Sequence, residues 1–267
     1  MTTTLEDTVS SPLAEPTIVS TPREKALAWG AHAFTLTGVL WAILAAIALS
    51  EGRILDMWLW LGIALIVDAV DGSIARAVRV RDHAPSFDGT ALDLVVDYLT
   101  WTFLPAIFMY THIPLGTKPL AIATVALICI SSMFCYCNVA MKTPDHYFMG
   151  FPAAWNVVAV IMWIFQTGSV FNIAASVILS ILTLAPITFV HPFRVGRLRL
   201  FNILAALTWV ATTAALTALV PIRPLWLTTL WWICGLWILT VSAIRTIQGL
   251  PPELRRRDTA APSDCSE

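Results

Sequence analysis

Long apolar runs alternate along the chain with short polar or proline-containing breaks. A helix needs about 20 apolar residues to cross a bilayer core of about 30 Å, and most of the runs reach that length. They lie at about 26–50, 54–78, 87–112, 118–140, 150–168, 170–190, 200–220 and 225–247. This pattern predicts an all-α, polytopic bundle of about eight transmembrane helices, with the weakest punctuation near Phe171.

The two ends of the chain are polar. Residues 1–22 contain Ser, Thr and Pro together with acidic groups, and they lack the basic start and apolar core of a signal peptide. Residues 249–267 are similarly polar. We therefore expect one membrane domain over 23–248 between two polar tails, which we predict to be cytosolic.

The composition fits this class of protein. Hydrophobic residues make up 58% of the 267 residues and charged residues only 12%, which excludes an ordinary soluble domain. The five cysteines are not clustered as zinc ligands would be, so they are interpreted as small buried side chains. No nucleic-acid partner is expected.

The positive charges predict an orientation, because cytosolic loops are rich in Lys and Arg. With both ends in the cytosol, only Arg53, Lys118 and Arg223 of the 16 basic residues fall on the opposite side. The loop between Arg76 and Gly89 is then cytosolic as well. This asymmetry predicts a multi-pass membrane protein with both ends and this loop in the cytosol.

Four aspartates interrupt two of the apolar runs. The first segment reads Asp68-Ala-Val-Asp71-Gly72-Ser-Ile-Ala75-Arg76, and the second reads Gly89-Thr-Ala-Leu-Asp93-Leu-Val-Val-Asp97. An unpaired carboxylate at the bilayer centre costs about 2.5–3.5 kcal/mol on the insertion scale, so such groups indicate function. Helical spacing places each set on one face, and two antiparallel neighbours would bring the sets together.

Converging carboxylates need a cation. Hard oxygen donors without His or Cys favour Mg²⁺, Mn²⁺ or Ca²⁺ over zinc. Gly72, Ala75 and Gly89 would let a ligand approach the backbone, and Arg76 offers a planar fork for phosphate. Metals and an arginine against a diphosphate suit phosphoryl-type transfer, in which a spare carboxylate takes the proton of an alcohol. The alternative is that the aspartates pair with Arg76, Arg79 and Arg81 and anchor a loop.

These residues carry a family resemblance. The pattern Asp68-x-x-Asp71-Gly72-x-x-Ala75-Arg76, followed by Gly89-x-x-x-Asp93-x-x-x-Asp97, resembles the signature of the CDP-alcohol phosphatidyltransferases. Twelve residues separate Arg76 from Gly89, which is longer than in most of the family and similar to the bacterial phosphatidylcholine synthase branch. Further segments resemble that branch: His32-Ala-Phe-Thr35-Leu-Thr-Gly38, Asp88–Tyr98, Phe148–Asn156 and Phe189–Arg194.

The resemblance implies transfer of the phosphatidyl group from CDP-diacylglycerol to choline. It implies that Asp68, Asp71, Asp93 and Asp97 hold divalent cations, Mn²⁺ or Mg²⁺, and that Asp97 is also the general base. The same resemblance implies a homodimer. It assigns CDP-diacylglycerol contacts to Gly72, Ala75, Arg76 and Gly89, and further contacts to Thr35 and Gly38.

Choline is a quaternary ammonium and is recognised by aromatic faces and carboxylates. Candidate choline contacts are Tyr98, Asp145, Tyr147, Trp155 and Asn156. The alternative for each aromatic residue is a place in the interfacial belt.

Two rival functions remain open at this point. Another acceptor alcohol, such as glycerol 3-phosphate, serine or an inositol phosphate, would use the same site. A cation transporter would place its carboxylates near the midplane, often in repeated halves, whereas these lie toward one surface.

Overall fold

Helices form most of the computed structural model, which describes residues 20–138, 143, 145, 147–190, 195 and 198–249. A π-helical turn, Tyr98–Phe103, joins the helix Gly89–Asp97 to the helix Leu104–His112. The helices are α1 (Pro22–Ser50), α2 (Ile54–Ala77), α3 (Val80–His83), α4 (Gly89–Asp97), α5 (Leu104–His112), α6 (Lys118–Cys137), α7 (Trp155–Phe165), α8 (Ser169–Leu182), α9 (Arg199–Leu219) and α10 (Leu225–Gln248). The predicted helical class is confirmed, while most of both predicted tails lies outside the described residues.

A small sheet departs from the all-α prediction. Strands β1 (Tyr147–Met149) and β2 (Thr188–Val190) pair antiparallel, with Phe148 opposite Phe189. The run predicted as one helix over 170–190 therefore ends its helix at Leu182 and finishes in β2. Strands of three residues are too short to show an alternating pattern, which is why the hydropathy merged them with their neighbours.

Five helical segments of the described chain are long and apolar enough to cross a membrane. They are Pro22–Ser50, Gly89–His112, Lys118–Cys137, Arg199–Leu219 and Leu225–Gln248. Helices α7 and α8 contain 11 and 14 residues. At about 1.5 Å per residue they reach about 16 and 21 Å, which is shorter than the bilayer core.

Helix α1 is the scaffold on which the site is assembled. Its start is fixed by a capping box, in which the Thr21 hydroxyl accepts from the Glu24 N–H and the Glu24 carboxylate accepts from the Thr21 N–H. Pro22 occupies the first turn, where its missing N–H costs nothing. The helix packs along α2 and also contacts α4, and small buried residues such as Ala42 and Ala45 allow the close approach.

Gly38 is where α1 meets α4 most closely. A Cβ at this position would lie 2.4 Å from the Cγ1 atom of Val96. We expect Gly38→Ala to destabilise the fold by about 1–3 kcal/mol through overpacking, and Val96→Ala to relieve part of that loss when the two are combined. Thermal unfolding midpoints of the purified protein in detergent measure both effects.

Gly62→Ala is the matched control for that prediction, because a Cβ at position 62 meets no atom within 4 Å. It should leave the midpoint unchanged or raise it slightly, since alanine is the better helix former. Equal midpoints for Gly38→Ala and Gly62→Ala would contradict the assigned contact.

The segment that leads into α7 is held against α6 and the π-helical turn. The Thr102 hydroxyl donates to the Ala153 carbonyl oxygen at 3.3 Å. The Trp155 indole N–H donates to Ser132 Oγ at 2.9 Å. Both Thr102 and Trp155 are fully buried. These two bonds therefore hold the segment that leads into α7 against the π-helical turn and α6.

Candidate active site

Three carboxylates converge from two helices. Asp68 and Asp71 on α2 and Asp93 on α4 each offer an oxygen, and these oxygens all lie within 4.8 Å of one another. Asp71 is buried, whereas Asp68 and Asp93 are partly exposed. The predicted meeting of the two aspartate segments is therefore present in the fold.

Asp71 is the most constrained member of this group. The Thr35 hydroxyl of α1 donates to Asp71 Oδ2 at 2.9 Å. The Gly72 backbone N–H also bonds to this carboxylate, and the Arg76 charge lies within electrostatic range. Thr35, predicted as a nucleotide contact, is placed by the structure as a hydrogen-bond partner of Asp71.

We expect Thr35→Val to weaken the binding of a divalent cation by about tenfold, because an oriented ligand loses its supporting hydrogen bond. Thr35→Ser keeps the hydroxyl and should bind nearly as the wild type does. Isothermal titration calorimetry with Mn²⁺ and each purified variant measures this affinity. Equal affinities in the Val and Ser variants would show that the hydroxyl does not support the site.

Helix α4 is positioned by its packing against Gly38 and also by contacts at its start. The Asp88 carboxylate caps the helix, accepting from the N–H groups of Thr90 and Ala91 at 2.9 and 3.1 Å. Gly89 lies against α1, where an added Cβ would come within 2.7 Å of His32 Cε1. The predicted role of Gly89, close approach, is seen here as contact with a buried histidine.

Arg76 and its neighbours lie at the open end of α2. The Arg76 guanidinium is exposed and donates to Ser73 Oγ at 3.0 Å. Gly72 and Ala75 are partly exposed on the same helix. An ion pair at this end joins Arg79 to Asp82.

Asp97 stands apart from the other three aspartates. It lies one helical turn beyond Asp93, at the end of α4, and is not part of the group of converging oxygens. Its Oδ1 atom is buried. The Tyr136 phenol of α6 lies within electrostatic range of both Asp97 and Asp68, so Asp97 borders the metal-type group without belonging to it.

Sequence reasoning missed Tyr136. It follows Asp97 by 39 positions in an apolar helix, where a tyrosine resembles a member of the interfacial belt. Its ring is 5.7 Å from that of Tyr98, with the two planes at 85°. No pattern in the sequence indicated that α6 would lie beside α4 at this level.

The predicted choline contacts fall in different surroundings. Asp145 forms an ion pair with Arg245 at 2.6 Å, and the Arg245 guanidinium also lies over the Tyr147 ring at 5.3 Å. Burial raises the pKa of the Asp145 carboxyl, but hydrogen bonds from Arg245 and Thr143 hold it below its ordinary value. These residues tie β1 to α10.

Trp155, Asn156 and Tyr98 complete this set. Trp155 is fully buried in the main hydrophobic cluster, and the side-chain Oδ1 of Asn156 accepts from the Val157 N–H at 2.7 Å. Tyr98 directly follows Asp97 and contacts Tyr136 and Phe103. The structure thus keeps Tyr98 beside Asp97 and places Tyr147 and Trp155 in separate clusters.

The donor chemistry fits a divalent cation. Three carboxylates from two helices offer hard oxygen ligands, which Mg²⁺ and Mn²⁺ prefer. A cation between them would also offset the repulsion of three neighbouring negative charges. The group could therefore hold a metal ion against a phosphate at the exposed end of α2.

Known proteins are similar in sequence to this chain over most of its length. The chain is 47% identical to the phosphatidylcholine synthase of Pseudomonas aeruginosa over 196 residues, 73% of this chain and 82% of the relative. It is 38% identical to that of Agrobacterium fabrum, over 71% of this chain and 78% of the relative. It is 37% identical to the phosphatidylcholine synthase of Brucella melitensis, over 85% of this chain and 81% of the relative.

No protein-family model matches the chain. The relatives nevertheless exceed 30% identity over more than two thirds of their own lengths. On this evidence the chain belongs to the phosphatidylcholine synthase family.

Proposed function

We propose that this protein transfers the phosphatidyl group of CDP-diacylglycerol to choline, forming phosphatidylcholine and CMP. The observation that carries the proposal is the convergence of Asp68, Asp71 and Asp93 beside Asp97, in a chain related to phosphatidylcholine synthases. This arrangement offers a cation site and a separate carboxylate, which are the two elements that transfer to an alcohol requires.

Asp68, Asp71 and Asp93 would hold the divalent cation, Mn²⁺ or Mg²⁺, and Asp97 would face it from the next turn. A bound cation supplies charge neutralisation at the diphosphate. Gly72, Ala75 and Gly89 would line the nucleotide side, with Thr35 and Gly38 supporting it from α1. Arg76, whose guanidinium is exposed, would contact a phosphate oxygen.

Asp97 acts as the general base in this proposal. Its carboxylate takes the proton of the choline hydroxyl, and the choline oxygen forms a bond to the phosphorus that carries the diacylglycerol. The bond from that phosphorus to the bridging oxygen breaks, and CMP leaves with the electron pair. Since the converging oxygens are those of Asp68, Asp71 and Asp93, this proposal assigns the proton transfer to the Asp97 carboxylate.

We also propose the arrangement in the membrane. The protein is a membrane protein with five helical segments long enough to cross, and the excess of basic residues supports cytosolic ends and a cytosolic active site. The eight crossings, the bacterial inner membrane, the two tails flanking a domain over 23–248 and the homodimer are proposals on the same basis.

The identity of the acceptor is tested with a panel of alcohols. Purified protein in CDP-diacylglycerol vesicles is offered choline, serine, glycerol 3-phosphate or an inositol phosphate, and CMP release is measured. We expect CMP to be released when choline is offered and not when any of the other alcohols is offered. Release with a phosphorylated acceptor and not with choline would assign the site to another branch of the transferases.

A further inference from the structure

The proposed function gives no role to Tyr136, whose phenol interacts electrostatically with Asp97. It lies on α6, and its phenol is within electrostatic range of Asp97 and of Asp68. Its hydroxyl is hydrogen-bonded with Thr102, which is fully buried and itself donates to the Ala153 carbonyl. The ring is therefore held in place at the border of the site.

The rings of Tyr136 and Tyr98 form a corner. Their centroids are 5.7 Å apart and their planes are nearly perpendicular, at 85°. In this edge-to-face arrangement the edge of one ring meets a face of the other, so the partner leaves at least one face of each ring for a third group. The Tyr98 hydroxyl interacts with the Cys129 thiol, and the Tyr136 hydroxyl interacts with the Thr102 side chain.

The chemistry of the acceptor favours this corner. Two carbon atoms separate the hydroxyl oxygen of choline from its quaternary nitrogen. If the hydroxyl lies at Asp97, the ammonium must lie in the immediate surroundings of that carboxylate. A trimethylammonium group cannot donate a hydrogen bond and is instead attracted to aromatic faces and negative charge.

Other aromatic candidates are engaged elsewhere. The Trp155 side chain is fully buried in the hydrophobic core. The ring of Tyr147 is covered by the Arg245 guanidinium at 5.3 Å. Tyr98 and Tyr136 are both partly exposed. Tyr98 directly follows Asp97 in the chain, and the Tyr136 phenol interacts electrostatically with the Asp97 carboxylate.

We infer that Tyr136, together with Tyr98, contacts the trimethylammonium group of choline and selects the acceptor. This inference rests on the proposed function and deepens it, since it adds α6 to the acceptor site. Tyr136 is a specificity residue in this account, and its ring is the part that acts.

The test uses the full chain in CDP-diacylglycerol vesicles and compares Tyr136→Leu with Tyr136→Phe. Tyr136→Leu should raise the KM for choline by about tenfold, which corresponds to about 1.4 kcal/mol of cation–π attraction, and should leave the KM for CDP-diacylglycerol unchanged. Tyr136→Phe keeps the aromatic face and should stay within about threefold of the wild type. Phe134→Leu, two positions earlier on the exposed face of α6, is the matched control.

A neutral isostere separates attraction from shape. In 3,3-dimethylbutan-1-ol a carbon replaces the choline nitrogen, so the molecule fills the same space without charge. The wild type should prefer choline over this alcohol, and Tyr136→Leu should lower that preference by about tenfold. An equal rise in KM for both alcohols would mean that the ring is only a packing wall and would overturn the inference.

Two further outcomes are distinguishable. Wild-type turnover with an unchanged choline KM in Tyr136→Leu, or a fall in kcat alone, would overturn this inference and leave the proposed function standing. A wild-type chain that released no CMP with choline would overturn both. Because Tyr136→Leu disturbs packing, fluorinated phenylalanines at position 136 provide a second series of nearly constant shape, in which choline KM should rise with each fluorine.

Discussion

We expect Asp97→Asn to lower kcat for phosphatidyl transfer to choline by about 10²–10⁴-fold, the range supplied by a positioned general base. Asparagine has nearly the same shape as aspartate but cannot accept the hydroxyl proton. Because Asp97 lies outside the group of converging carboxylates, binding of CDP-diacylglycerol and of Mn²⁺ should stay close to the wild-type values. Single-turnover CMP release and equilibrium binding measure the two properties separately.

Asp56→Asn is the matched control. Asp56 lies in the first turn of α2, where it pairs with Arg53 at the opposite end of the helix from Asp71. This variant should transfer at the wild-type rate. Full turnover in Asp97→Asn would reject the base assignment, and loss of Mn²⁺ binding in that variant would make Asp97 a ligand in place of a base.

The second large effect concerns the metal-type group. Removing divalent cations with a chelator should abolish transfer, and adding Mn²⁺ or Mg²⁺ should restore it. In Asp71→Asn and Asp93→Asn we expect the Mn²⁺ concentration for half-maximal activity to rise by about a hundredfold or more. Loss of a group that only supports a ligand lowers metal affinity by about 10–100-fold, and loss of the ligand itself should lower it further. Asp56→Asn again serves as the control.

The same variants allow a readout that is independent of catalysis. Mn²⁺ bound to the protein is visible by electron paramagnetic resonance, and its signal should weaken in Asp71→Asn and Asp93→Asn without any substrate present. Chelator-resistant transfer, or an unchanged Mn²⁺ signal in both variants, would show that these carboxylates do not hold a cation.

Helical spacing was sufficient to predict the centre of the site. Asp68 and Asp71 recur on one face of α2, and the structure brings their oxygens within 4.8 Å of an Asp93 oxygen. Spacing works here because the positions of side chains around a helix follow from a fixed rotation per residue. The pairing of the two segments followed from the short loop between them.

The remainder depends on contacts between helices that are distant in sequence. Thr35 donates to Asp71 from 36 positions away, and Tyr136 of α6 contacts Tyr98, the residue after Asp97. Neither contact leaves a periodic signal, since it is set by which helices become neighbours. The ion pair between Asp145 and Arg245, 100 positions apart, joins the segment before β1 to α10 and likewise leaves no periodic signal; the choline contact of Asp145 stays a prediction.

The central claim is tested most directly with purified protein in vesicles of CDP-diacylglycerol supplied with Mn²⁺ and radiolabelled choline. We predict phosphatidylcholine and CMP in equal amounts, with neither formed when choline or Mn²⁺ is left out or when Asp97→Asn replaces the wild type. CMP release independent of choline, or choline accumulating inside the vesicles without phosphatidylcholine, would contradict the account.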